Sequence, residues 1–412
     1  MGDLWRRVGW SRLLVTAACL VAWRALATVQ VAAVPPQLFQ VQPRAYSLVA
    51  LGLGPYIVAM IVVTLARVAS KRLRAMWSAE EGRRRLSRWT RALAAALAMA
   101  QAYGFTVLLQ TASLVPPLDW FSRLVLVLQL TAGTMVLVFL GDLIDEAGLG
   151  FGNGALLIYA LGPVVTQTQR LRTLVTAASA YGDLSAYRPV LVWVGASIVL
   201  VLASVAVLRA FRSVALVEGR HGTRSLPLAL PVVMSGVLRP PIFASAVLSL
   251  PTPISNYVAE SQPAFHSWML QSWTPYGANP GWDLFYIGVA VSLVIFFAYL
   301  AAAADFDAGL IAIRLKQRRA WIEGLPRDGD ATVYLQARSR RLTFAGGSFL
   351  ALATVVVPVP VYFVTRALGG VILLSGTDVL LMTAVALAIA SGIESPAAVV
   401  GRSDLSPAPA VI

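Results

Sequence analysis

The chain alternates long apolar segments with short polar ones. The apolar segments are close to the length at which a helix crosses a bilayer, about 20 residues. Ten can be marked: 11–33, 46–66, 92–112, 121–143, 154–168, 190–211, 237–258, 284–304, 343–366 and 374–393. The fifth is short, because Gln167, Gln169, Arg170 and Arg172 interrupt it. Gly52, Gly54, Pro55, Gly162, Pro163, Pro240 and Pro241 fall within these spans. Membrane helices tolerate such breakers where neighbours or a water-lined cavity satisfy the freed backbone groups. The pattern predicts an all-α polytopic membrane protein with ten transmembrane helices.

The arginines and lysines orient it. Arg6, Arg7 and Arg12 precede the first span, and Arg67, Lys71, Arg72, Arg74, Arg83, Arg84, Arg85, Arg88 and Arg91 lie between spans two and three. Arg212, Arg220 and Arg224 lie between six and seven. Arg314, Lys316, Arg318, Arg319, Arg327, Arg338, Arg340 and Arg341 lie between eight and nine. All these connections fall on one side, and the opposite side holds only Arg44, Arg170, Arg172, Arg188 and Arg366. The positive-inside rule predicts both termini in the cytoplasm and the protein in the cytoplasmic (inner) membrane. The N-terminus has signal-peptide features, but Arg24 interrupts its apolar run and nine spans follow, so it is expected to stay as the first span. Thr16-Ala-Ala-Cys19 lacks the leucine of a lipoprotein signal.

Composition agrees with this picture. Of 412 residues 58% are hydrophobic and 13% charged, about half the charged share of a soluble domain. The net charge of +14 points to membrane topology and not to nucleic acid, because the basic residues gather in a few connections. Cys19 is the single cysteine, and His221 and His266 are the two histidines, in different loops. No disulfide, metal site, cofactor or nucleophile–base pair is expected, so no enzyme is. Arg24, Gln101, Gln110, Gln129 and Asp142 are polar residues in or near spans, where an ionisable group is a candidate for function.

Residues 148–154 read GLGFGNG. A dinucleotide loop needs GxGxxG between a strand and a helix. This run is GxGxGxG between two apolar spans, which predicts a tight turn around Gly152, Asn153 and Gly154. The stretch Gly141-Asp-Leu-Ile-Asp-Glu-Ala-Gly148, then Gly152-Asn-Gly154, resembles GEQIxxxGIGNGIS of the SecY protein-translocation channels, with about two extra residues. Leu51-Gly-Leu-Gly-Pro-Tyr-Ile57 resembles the family's LGIxPYI. Arg224-Ser-Leu-Pro-Leu228, Ser235-Gly-Val-Leu238 and Ile242-Phe-Ala-Ser245 resemble RRSxYLPLKVNxAGVIPxIFASS, with Arg239 as an insertion. Arg340-Arg-Leu-Thr-Phe344 is similar to NRLTF, Gly376-Thr377 to GGTSLLI, and Trp23-Arg24 to FRLG. The motifs follow the family's order along nearly the whole chain.

The resemblance implies a pore-forming subunit that passes unfolded preproteins across the membrane and releases apolar segments sideways into lipid. It implies two inverted five-helix halves, 1–170 and 190–393, joined by an external hinge at 171–189 and followed by a cytoplasmic tail at 394–412. A ring of branched apolar side chains would seal the pore by excluding water. The matching positions are Leu53, Ile57, Ile242 and Leu381, with Tyr159 and Pro163 as atypical members from span five. Ordinary packing is the competing reading at each. The implied partners are SecE-like and SecG-like subunits, the SecA ATPase, the ribosome, signal peptides of preproteins and anionic lipids. Arg220, His221 and Arg224 in the six–seven loop and Arg327 in the eight–nine loop are the implied docking residues. Arg74 and Arg83 to Arg91 are expected to set topology and meet anionic lipid, each worth about 1 kcal/mol near the surface.

One departure stands out. The family places a plug helix between spans one and two. Here Val34 to Pro43 carries Pro35, Pro36 and Pro43, which disfavour a helix, so a conventional plug is expected to be missing. That keeps a second reading open, a degenerate SecY-like scaffold or substrate-specific export factor. A small-solute secondary transporter is a third, opposed by the scarcity of buried acids.

Overall fold

The computed structural model describes residues 10–148 except 32–33, 38–45, 79 and 112–113. It describes 187–273 except 219–222, 234–238, 252–254, 256–257 and 259–260, then 280–367 except 318 and 327–329, and separate residues within 154–179 and 376–387. The chain packs as two compact units. One comprises 1–163 with 242–288, the other 164–241 with 289–412.

In chain order the elements are α1 (Trp10–Leu26), α2 (Gly54–Ala69), α3 (Lys71–Ser78), α4 (Glu80–Thr111), α5 (Trp120–Ala147) and α6 (Arg188–Leu208). The strands β1 (Phe211–Glu218) and β2 (Thr223–Pro231) follow, then α7 (Arg239–Ser249), α8 (Pro263–Ser272), α9 (Pro280–Asp305) and α10 (Ala308–Gln317). A short β3 (Ala320–Ile322), α11 (Ala331–Ala351), a π turn (Leu352–Val356) and α12 (Pro358–Ala367) complete the described chain. Among the described residues five helical stretches are long and apolar enough to span a membrane: Glu80–Gln110, Trp120–Ala147, Arg188–Leu208, Gly281–Gln317 and Ala331–Ala367. They answer to expected spans three, four, six, eight and nine. Spans one, two and seven appear as the shorter helices α1, α2 and α7. Spans five and ten fall largely outside the described residues.

Several boundaries differ from the hydropathy reading, and each difference has a cause. Helix α2 starts at Gly54, not at 46, because Gly52 takes φ +57, a left-handed conformation that glycine adopts at little cost. Pro55 then opens the helix, where its missing N–H loses nothing. Helix α4 carries Arg83, Arg84, Arg85, Arg88 and Arg91 in its first turns, so these arginines belong to a helix and not to a loop. Its 32 residues span about 48 Å at 1.5 Å each, against roughly 30 Å of hydrocarbon. The arginine end therefore projects beyond the lipid core. Helix α11 begins at Ala331 and places Arg338, Arg340 and Arg341 on a helix as well. Ahead of Pro358 the ladder opens into the π turn, with Val357 N–H donating to Leu352 O at 2.9 Å. Proline supplies no donor and its ring crowds the carbonyl four residues back.

In the first unit α4 and α5 pack on the stem of the 32–45 connection. Val31, Val34, Ala102, Leu109, Leu126 and Leu130 form one buried cluster. The stem is closed by an antiparallel bridge: Val31 N–H donates to Tyr46 O (3.2 Å) and Leu48 N–H to Val29 O (2.9 Å). The second unit holds a three-stranded antiparallel sheet in the order β2-β1-β3, an addition to the helical pattern. The β1–β2 hairpin runs from Phe211 opposite Pro231 to Glu218 opposite Thr223, with a bulge between Val214 and Leu216. Strand β3 pairs Ile322 with Leu216 and Ala320 with Glu218, and Glu323 N–H extends it by donating to Ala215 O at 3.0 Å. Val214, Leu216, Leu228, Leu230 and Ile322 bury one face against Ile311 and Leu315 of α10 and Leu335 and Leu342 of α11.

Three helix starts are capped by aspartates. Asp119 accepts from Phe121 N–H, Asp307 from Leu310 N–H and Asp330 from Thr332 N–H. The Asp330 carboxyl is held below the ordinary carboxylate range, first by the Thr332 backbone N–H and then by its hydroxyl. Its folded pKa lies below the unfolded value of about 3.9, so the stabilisation is complete above that value and is lost as pH falls through the folded one. The Tm gap between the wild-type chain and Asp330→Ala in detergent micelles should therefore be open at neutral pH and close below about pH 4. A gap that persists at low pH would show that the cap does not depend on the charge.

Candidate functional site

The candidate residues lie at the start of α2, on α7, in the glycine turn after α5 and in the arginine loops. At the first, Leu53 is the N-cap residue of α2, and Ile57 N–H donates to Leu53 O at 3.0 Å. The two thus stand one helical turn apart on the same face. Both are buried, as is Ile242 on α7. Tyr159 is half-buried in a short helical piece. Pro163 and Leu381 lie outside the described residues. Gln101 of α4 reaches the same place, its Oε1 3.9 Å from where a Cβ on Gly54 would stand.

The glycine turn is built by close backbone approach. Asp145 near the end of α5 accepts from Gly154 N–H at 2.7 Å, and Gly148 N–H closes the helix on Ile144 O. A Cβ on Gly154 would stand 2.1 Å from Gly141 O, and one on Gly148 would stand 2.6 Å from Thr16 Oγ1 of α1. These glycines are needed for closeness, since none of them takes a positive φ. Gly152 and Asn153 lie outside the described residues. No phosphate-cradling geometry is needed to explain the motif.

Of the polar candidates in or near spans, Asp142 and Gln110 tie helices together. Arg91 of α4 pairs with Asp142 of α5 at 3.0 Å. Arg123 of α5 donates to Gln110 of α4 at 2.7 Å. The two links sit toward opposite ends of the antiparallel α4–α5 pair and fix its register. Arg24 is exposed at the end of α1 beside the buried Trp23. Sequence reasoning missed two further arrangements. The guanidinium of the buried Arg67 lies 3.9 Å over the Trp77 ring. Arg239, read only as an insertion, forms an ion pair with Asp305 that joins the start of α7 to the end of α9. An acid within an otherwise apolar segment, as Asp305 is, was the available signal.

Of the docking residues, Arg224 lies on β2 opposite Val217. Arg220, His221 and Arg327 lie outside the described residues. The loops that carry them are joined, because β1 and β2 frame the 219–222 tip and β3 precedes the 327–329 segment in the same sheet.

Helix lengths, apolar surfaces and polar ties between helices define a membrane-embedded, multi-pass helical protein. The SecY family model matches residues 47–390. The protein translocase subunit SecY of Rickettsia typhi is 30% identical over 353 residues, covering 82% of this chain and 78% of that one. Among solved structures, a SecY channel described for its plug domain aligns with TM-score 0.67 at 17% identity over 94% of this chain and 92% of its own. Canine Sec61 in a ribosome–channel complex aligns with TM-score 0.61 at 17% identity over the same shares. The chain belongs to the SecY family, and its fold is that of the pore subunit of a protein-conducting channel.

The close approach at the turn is testable. Gly154→Ala should lower the Tm in micelles, at a cost of about 1–3 kcal/mol, as overpacking does. Gly195→Ala, where nothing lies within 4 Å of the added Cβ, should be neutral or stabilise by roughly 0.5–1 kcal/mol. Equal effects at both positions would mean that the turn is not limited by contact.

Proposed function

We propose that this chain is the pore-forming subunit of a Sec-type channel in the cytoplasmic membrane, passing unfolded preproteins across it and releasing apolar segments laterally into lipid. The observation that carries the reading is the burial of the branched residues Leu53, Ile57 and Ile242 at positions that match the family's constriction. Leu381, Tyr159 and Pro163 complete the proposed ring. An apolar ring excludes water, and hence ions, while it yields around a peptide.

The proposed architecture is ten helices in two inverted halves, 1–170 and 190–393, with an external hinge at 171–189 and a cytoplasmic tail at 394–412. Both termini face the cytoplasm, on the side of the arginine-rich connections. On that side Arg220, His221, Arg224 and Arg327 dock the SecA ATPase or a ribosome, and guanidinium suits carboxylate and phosphate alike. A SecE-like subunit clamps the two halves, and a SecG-like subunit, signal peptides of preproteins and anionic lipids complete the set of partners. The channel does its work without catalysis.

The connection between α1 and α2 supports a second element of the proposal. Pro36 and Gln37 of this connection are helical despite its prolines, since proline is tolerated in a helix's first turn. With Val31 bridged to Tyr46, however, the connection is short and we assign no conventional plug to it. The resting seal then falls on the ring. In planar bilayers the purified channel should show a measurable resting conductance, and a tight seal would place the closure elsewhere.

The central test is crosslinking of a stalled secretory precursor to single cysteines at Ile57, Ile242 and Leu381 in a Cys19→Ser background. Crosslinks at all three are expected. Their absence from folded, partner-bound protein would sink the ring assignment and favour a scaffold or substrate-specific export factor.

A further inference from the structure

Helix α8 and the start of α9 share an exposed line of aromatic rings. Phe265 meets Trp268 at 6.0 Å between centroids, Trp268 meets Trp282 at 5.0 Å and Trp282 meets Phe285 at 5.6 Å. Each of the four is 38–52% exposed, although aromatic groups of this size normally dominate cores. The helix is anchored from behind. Met269 and Ser272 are buried, the Trp273 indole donates to Leu248 O at the end of α7 at 2.8 Å, and its ring meets Tyr286 of α9 at 5.4 Å.

We propose that α8 is an interfacial anchor, with Phe265, Trp268, Trp282 and Phe285 seated in the lipid headgroup layer at the membrane face opposite the arginine loops. Depth is the first argument. Trp282 and Phe285 lie in the first turns of the spanning stretch Gly281–Gln317, which is where a transmembrane helix passes through the interface. Trp268 touches Trp282, so α8 lies at the same level. Chemistry is the second. Residues 261–273 contain no Lys, Arg, Asp or Glu, while indole, apolar in body and polar at one N–H, is enriched at this boundary. Continuity is the third. The ring line runs on into the exposed flank of α9, where Leu284 is 70% exposed, as a lipid-facing helix requires. Ser267 and Gln271, exposed on another side of α8, face water. The inference rests on the membrane orientation proposed above for which leaflet is occupied.

Anchored at both ends, α8 fixes the spacing between the end of α7 and the start of α9 and gives the pair a lipid-dependent footing. The test is nitroxide accessibility in full-length protein reconstituted into phosphatidylcholine vesicles, with single cysteines in a Cys19→Ser background. Phe265→Cys and Trp268→Cys should collide preferentially with oxygen, which partitions into lipid, and Gln271→Cys with a water-soluble nickel chelate. Ile198→Cys on α6, 54% exposed, is the spanning control. Preference for the nickel chelate at both 265 and 268, with oxygen still preferred at 198, would overturn the anchor and leave the rings facing an aqueous vestibule. Shielding from both reagents at 265 and 268 would overturn it in favour of a covering protein. Preference for the chelate at 198 would overturn the membrane orientation and the anchor together.

Discussion

Hydrocarbon offers no partner to a peptide N–H or carbonyl, so a segment that enters the bilayer must satisfy its backbone internally. That constraint accounts for the order of this fold better than any side-chain contact does. Among the described residues the longest helices run through apolar stretches, and three departures from α geometry are closed by specific bonds. The π turn is closed by Val357 onto Leu352, the 46–53 turns by the bridge to Val29 and Val31, and the glycine turn by Asp145. The sheet packs on α10 and on the arginine-bearing start of α11.

The polar residues of the α4–α5 pair are spent on register. Two apolar helices slide past one another at little cost when lipid is as apolar as their side chains, because the hydrophobic effect does not favour either alignment. Arg91 with Asp142 and Arg123 with Gln110 remove that freedom. Close glycine contacts do the same by shape, as where a Cβ on Gly133 would stand 1.9 Å from Leu48 O. Small residues and a few charged ties therefore do in lipid what burial does in water.

Much of this was legible in the sequence. Segment lengths and arginine placement gave the helical class, and the ordered motifs around Gly54, Gly154, Ile242 and Arg340 gave the family. The ends of helices were less legible. Hydropathy registers where a helix is apolar and not where it stops, so the arginine-rich first turns of α4 and α11 read as loops. The sheet was missed although its signal was present. Val214 and Leu216 are buried and alternate with the half-buried Ala215 and Val217, and the buried Leu228 and Leu230 are likewise two apart, at the period of two that marks a strand with one buried face. The alternation was overlooked because the strands are short and stand between long apolar spans. The joining of β3 to β1 depends on residues about a hundred apart, and no local pattern carries that information.

That joining has a consequence for how this protein can change. Strand β3 is held to β1 by only three residue pairs and the Glu323–Ala215 bond. Adding or deleting one residue in either strand would turn its buried row outward. The two connections, distant in the chain, are thus bound to a common register, and a length change in one strand requires an answering change in the other. A chimaera that borrows the first hairpin from a relative should inherit the second segment with it, as a single exchangeable cassette.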